Sequence, residues 1–129
     1  MKSEFDDLIG KPYGEFGRGP DFYDCWGSVC EAGKRMGENT PDYKDISYLN
    51  LRGVLKAIKE MTVLPEYELI IKPERRAIVM FKIIGGWAHF GRMIDKRYFI
   101  HATEELGVHI SSINGFYGPL VKGLYLCRQ

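Results

Sequence analysis

Asp24-Cys25-Trp26-Gly27-Ser28-Val29-Cys30-Glu31-Ala32-Gly33-Lys34-Arg35-Met36-Gly37 reads as one helix with its own punctuation. Asp24 is a good N-cap, because its carboxylate accepts hydrogen bonds from the free N–H groups of a first turn. Gly37 suits the left-handed position that stops a helix. Val29, Ala32, Gly33 and Met36 form one stripe at helical spacing, and Cys25 lies on it four residues before Val29. Glu31, Lys34 and Arg35 fall off the stripe. The spacing predicts a helix over 25–36 whose opening cysteine faces the core or a cleft beside it, not bulk water.

Upstream, Ser3 and Asp6 resemble a capping box for a short helix over about residues 4–9. Gly10, Pro12, Gly14, Gly17, Gly19 and Pro20 then mark residues 10–24 as a loop. Downstream, 38–45 is polar, contains Pro41 and reads as a loop. Leu49, Val54, Leu55 and Ile58 suggest a further helix near 47–60. After Pro65 the pattern becomes β-like, with candidate strands at 68–72, 77–83, 87–94, 98–102, 108–113 and 121–127. Helices followed by a run of short strands predict an α+β fold, with N-terminal helices packed on an antiparallel sheet of about five to six strands.

The chain has 129 residues, which suits one domain spanning 1–129, and its 45% apolar content suffices for one core. A net charge of +1 and a pI near 7.7 argue against a nucleic-acid partner. Cys25, Cys30 and Cys127 are an odd number and include no CxxC pair, so zinc-ribbon and thioredoxin-type sites are not expected. They suggest reduced thiols. The first residues hold no apolar signal-peptide core, and the apolar runs are too short to span a bilayer. The expectation is cytoplasmic synthesis without a signal peptide and no membrane insertion.

A cysteine at a helix start is chemically distinctive. Free N–H groups and the helix dipole favour a thiolate there, and the same groups can hold an oxyanion. A depressed thiol pKa is therefore expected for Cys25. Alone the signal is weak, since a lone cysteine is most often a small buried hydrophobe. A thiolate hydrolase also needs a base and a group to orient that base. The three histidines are His89, His101 and His109. His89 lies in Trp87-Ala88-His89-Phe90-Gly91 and His101 in Tyr98-Phe99-Ile100-His101-Ala102. If these form a hairpin, an odd loop Ile94-Asp95-Lys96 pairs His89 with His101 on one face. A two-residue loop Asp95-Lys96 separates them. The odd loop is favoured, although Lys96 is not the usual glycine or asparagine. Cys25 and the histidines lack metal-ligand spacing, so no metal site is expected. Trp26 and Trp87 flank the candidate residues; apolar packing is their default role.

Asp24-Cys25-Trp26-Gly27, His89-Phe90-Gly91, Phe99-Ile100-His101-Ala102 and Gly107-Val108, in that order, resemble the NlpC family of papain-like cell-wall cysteine peptidases. So does the twelve-residue step from His89 to His101. Tyr13 in Lys11-Pro12-Tyr13-Gly14 stands where the family carries a cleft tyrosine. Met36-Gly37 to Pro41-Asp42-Tyr43 resembles the phage-tail branch. The likeness covers about residues 5–128. It implies a papain-like NlpC-type fold and the catalytic set Cys25, His89 and His101: Cys25 attacks a carbonyl, His89 takes its proton, and His101 orients His89. Tyr13 is implied near the oxyanion or substrate. Asp24 either contacts the substrate's amine, as in the family, or only caps the helix. The implied substrate is a peptidoglycan stem peptide, commonly cut between D-glutamate and the diamino acid, with no cofactor. Other phage-tail proteins are implied partners, and a phage tail or secretion system would deliver the protein to the wall. The competing expectations are a structural tail component with little activity and a papain-like hydrolase of another amide or ester. Two features depart from the family pattern: Arg75-Arg76 replace a Gly-Asp before the histidine hairpin, and Arg92 stands where an apolar residue is common.

Overall fold

The computed structural model describes residues 4–42, 59, 67–84 and 87–127. Helix α1 spans Cys25–Arg35, and six strands follow: β1 Tyr67–Ile70, β2 Ile78–Ile84, β3 Trp87–Met93, β4 Tyr98–Thr103, β5 Gly107–Ser112 and β6 Val121–Cys127. They form one antiparallel sheet in the order β1-β6-β2-β3-β4-β5. A short 3-10 segment, Gly115–Leu120, which the sequence pattern did not suggest, leads into β6. Each expected strand is found with its ends shifted by no more than two residues. The helix expected near 47–60 lies outside the described residues except for Lys59, which is helical.

The first expected helix is corrected. Residues 4–10 make turns, with Leu8 N–H and Ile9 N–H both donating to Phe5 C=O. So short a segment cannot recover the cost of nucleating a helix. It is held by burial of Phe5 and Leu8 beneath the sheet's β4–β5 side, with Ile100, Ala102 and Val108. Among the described residues α1 is therefore the one α-helix packed on the sheet.

α1 forms as its sequence requires. Asp24 caps it through a 2.6 Å bond from Gly27 N–H, and Lys34 and Arg35 sit in the last turn, where cations favour the helix dipole. Its stripe is buried: Cys25, Val29 and Trp26 pack on Ile78, Met80 and Phe90, while Ala32 and Met36 pack on Ile100 and Ala102. Strand alternation sends Val79, Phe81, Met93 and Phe99 to the opposite face, into a second core with Ile113 and Leu124.

One charge crosses this apolar architecture. Arg92 is fully buried on the α1 face of β3. Its Nε donates to Arg76 C=O at 2.7 Å, and Nη1 donates to Thr40 Oγ1 at 2.8 Å and to Val29 C=O at 3.3 Å. Nη2 pairs with the buried Glu38 carboxylate. Gly33 makes room for it, since a Cβ there would stand 2.6 Å from Nη1. The departure at position 92 is thus a strut joining α1, the loop after it and the turn before β2. Arg92→Leu is expected to lower unfolding free energy in urea titration by about 3–5 kcal/mol, because it strands the Glu38 carboxylate. A loss under about 1 kcal/mol, typical of an exposed pair, would contradict the strut.

Candidate active site

The site forms where two strands part. β3 and β4 pair only at Arg92↔Ile100 and Met93↔Phe99. Their turn closes with Ile94 N–H donating to Tyr98 C=O at 3.0 Å, and Asp95 Oδ1 accepts from Arg97 N–H and Tyr98 N–H, both at 2.7 Å. That carboxylate does the work expected of a glycine or asparagine. The loop is odd, as favoured, but the register differs: Met93 faces Phe99 rather than Arg97. His89 and His101 are therefore diagonal neighbours on one face, not a direct pair.

Beyond Arg92 the ladder stops, and a ring-to-ring bond replaces it. His89 Nε2 and His101 Nδ1 stand 2.7 Å apart. His101 Nε2 lies 2.8 Å from Ser111 Oγ on β5. His109, directly opposite His101, lays its ring against the His101 ring at 4.1 Å between centroids and donates from Nδ1 to Gly107 C=O at 2.9 Å. Aromatic rings close around the pair: Phe81 stacks on His89, while Phe99 and Tyr117 pack against His101. Burial, with His109 nearby, holds His89 down at about 4; burial and the other two histidines hold His101 at about 2. Both rings are neutral near neutral pH.

Cys25 approaches from the other face. It opens α1, is 2% exposed, and packs with Trp26 and Phe90. The backbone N–H groups of Phe90 and Trp26 favour its thiolate, but burial and the adjacent Asp24 carboxylate outweigh them. The thiol is therefore pushed up, which corrects the expectation of a depressed value: a helix start lowers a pKa only while the sulfur keeps enough polar surroundings. Alternation in β3 puts Phe90 N–H on the side of β4, where the ladder is missing. The thiol and the histidine pair thus meet the same gap from opposite faces. His89 Nδ1 holds no hydrogen bond among the described residues.

Asp24 is buried and serves as the N-cap. Its Oδ1 also takes a 2.7 Å bond from Arg18 Nη1, whose Nε donates to Asp42. Asp24 Oδ2 has no partner among the described residues. Tyr13 is half-buried, and its hydroxyl is pushed up by burial and then by Cys25, so it lies in the field of the thiol. The loop carrying it is tied to Tyr23: Gly14 N–H donates to Tyr23 C=O, and Tyr23 N–H to Pro12 C=O. Gly27 lets that loop settle on the first turn of α1, since a Cβ there would stand 2.0 Å from Gly17 O. Cys30 is half-buried beside the α1 core, and Cys127 is buried in it. Sequence reasoning did not single out Ser111, Tyr117 or Arg18. For Ser111 the usable signal was alternation: His109 and Ser111 share a strand face, and a β4–β5 hairpin brings that face to His101.

No family model matches the sequence, and no curated protein matches it. Solved structures do: 15 chains are similar. One, from Staphylococcus aureus subsp. aureus Mu50, is described as similar to lipoprotein, NLP/P60 family, with 14% identity and a TM-score of 0.63. The fold is NlpC/P60-like. The match covers 98% of this chain and 39% of that one, so this chain spans well under half of that protein's length. At this identity the likeness is one of fold alone.

Iodoacetamide labelling of Cys25, read by mass spectrometry, is expected to be slow at about pH 7 and still rising at about pH 9. A plateau below about pH 7 would show a thiolate preformed by the helix start.

Proposed function

We propose that the chain is a cysteine peptidase or amidase that hydrolyses amide bonds in peptidoglycan stem peptides, with the D-glutamyl–diamino acid bond as the expected target. The 2.7 Å bond between His89 and His101, taken with a cysteine that opens a helix, supports this reading most directly. The NlpC/P60-like fold agrees with it.

The chemistry follows from the charges. With the thiol raised and His89 lowered, the resting pair is a neutral thiol and a neutral imidazole. The proton therefore moves during attack: Cys25 Sγ bonds to the carbonyl carbon as His89 Nδ1 takes the thiol proton. His101 Nδ1 accepts from His89 Nε2–H and steadies the imidazolium that forms. The N–H groups at the start of α1, and Tyr13 beside them, offer donors to the oxyanion. His89 then protonates the leaving amine as the C–N bond breaks. Water, activated by the same ring, hydrolyses the thioester and restores the thiol. Asp24 Oδ2, a buried carboxylate oxygen with no partner among the described residues, is the candidate for the substrate's amine.

A phage or prophage tail, or a secretion system, would carry the protein from the cytoplasm to the wall. The deep burial of Cys25 favours one alternative, a structural tail component with weak or no activity.

Digests of purified stem peptides, read by mass spectrometry, are expected to yield a fragment with wild type and none with Cys25→Ala. Intact peptides and intact sacculi after wild-type treatment would sink the hydrolase reading. The acid limb of kcat/KM is expected near pH 4, since below that pH His89 is protonated and cannot accept the thiol proton. A limb near the ordinary histidine value of about 6.5 would show that the ring is solvated during catalysis.

A further inference from the structure

We propose that Ser111 is a positioning residue that, by accepting from His101 Nε2–H, supports the tautomer pair in which His89 Nδ1 is free to take a proton. This rests on the reading of His89 as the base.

The relay has three members and two bonds: His89 Nε2 to His101 Nδ1 at 2.7 Å, and His101 Nε2 to Ser111 Oγ at 2.8 Å. A neutral imidazole carries one N–H, so the bond at one nitrogen dictates the role of the other. Two arrangements satisfy the His89–His101 bond. In the first, His101 Nε2–H donates to Ser111 Oγ, Nδ1 accepts from His89 Nε2–H, and His89 Nδ1 is bare. In the second, the His101 proton sits on Nδ1 and donates to His89 Nε2, His101 Nε2 accepts from the Ser111 hydroxyl, and His89 carries its own proton on Nδ1. Only the first leaves a base that can receive the thiol proton at Nδ1.

The surroundings of His101 make Ser111 the acceptor on which the first arrangement depends. His101 is fully buried, with Phe99 and Tyr117 against its ring. His109 lies 4.1 Å away, centroid to centroid, with its Nδ1–H on Gly107 C=O, and no hydrogen bond joins its ring to His101 among the described residues. Without the Ser111 hydroxyl, a proton on His101 Nε2 would be buried without an acceptor, a costly state that the second arrangement avoids. Ser111 can hold this position because β4 and β5 stay in register through Phe99↔Ser111 and His101↔His109.

The test uses the full chain as wild type, Ser111→Ala and Ser111→Thr, the last keeping the hydroxyl in a strand-compatible side chain. Two-bond proton–nitrogen NMR correlations at neutral pH report each ring's tautomer without any substrate. Stem-peptide kinetics are measured in parallel. Wild type is expected to show both rings protonated at Nε2 and bare at Nδ1. Ser111→Ala is expected to move His101 toward Nδ1–H and to lower kcat by about 10- to 100-fold with KM unchanged, short of the roughly 10⁴-fold loss when a triad imidazole is locked in the wrong tautomer. Ser111→Thr is expected to restore both readouts. Wild-type His101 protonated at Nδ1, or a Ser111→Ala variant with unaltered tautomers, overturns the proposal. So does an altered tautomer with unaltered kcat. If wild type cleaves no stem peptide yet the tautomers are as stated and shift in Ser111→Ala, the tautomer assignment stands and the hydrolase reading fails.

Discussion

The burial of Arg92 is the constraint on which the arrangement turns. An unpaired guanidinium in a core would be prohibitive, so every element that answers it is fixed in place. Val29 from α1, Glu38 and Thr40 from the segment after it, and Arg76 before β2 all converge on that one side chain. The helix is thereby pinned to β3 two residues from Phe90, whose backbone N–H faces the Cys25 thiol. The apolar packing of Trp26, Val29 and Phe90 supplies the affinity between helix and sheet, and Arg92 supplies the registration.

Against that fixed helix, the sheet gives up ladder bonds where the two histidines sit. β3 and β4 are paired at the turn and unpaired at His89 and His101. Backbone groups released from a ladder need other partners, and the thiol takes up one of them. The side chains bridge the gap instead: ring to ring, then ring to hydroxyl on β5. Aromatic neighbours shield this polar chain in part, most fully at His101, which strengthens its bonds and makes an unmatched proton there costly.

Burial also sets the charge state. Desolvation raises the thiol and lowers both imidazoles, so the site rests neutral, with no thiolate–imidazolium pair. Helix-start stabilisation and burial act on the same sulfur with opposite sign, and at 2% exposure burial is the larger.

The local patterns were legible in the sequence. The capped helix from Asp24 to Gly37, the six strands and the odd β3–β4 loop follow from short-range rules: capping chemistry, periods of 3.6 and 2, and turn parity. Those rules also brought His89 and His101 to one face, because parity survives a shift of two residues in register. What only the tertiary structure decided depends on long-range contact. The register made the histidines diagonal. Position 92 became a strut because Glu38 and Thr40 arrive there through folding. Cys25 lost its solvent to Phe90, a residue 65 positions away in the chain. Ser111 joined the relay only when β5 paired with β4. A sequence carries the periodicity of each element, but solvation and hydrogen-bond partnership belong to surfaces that exist only once the elements pack.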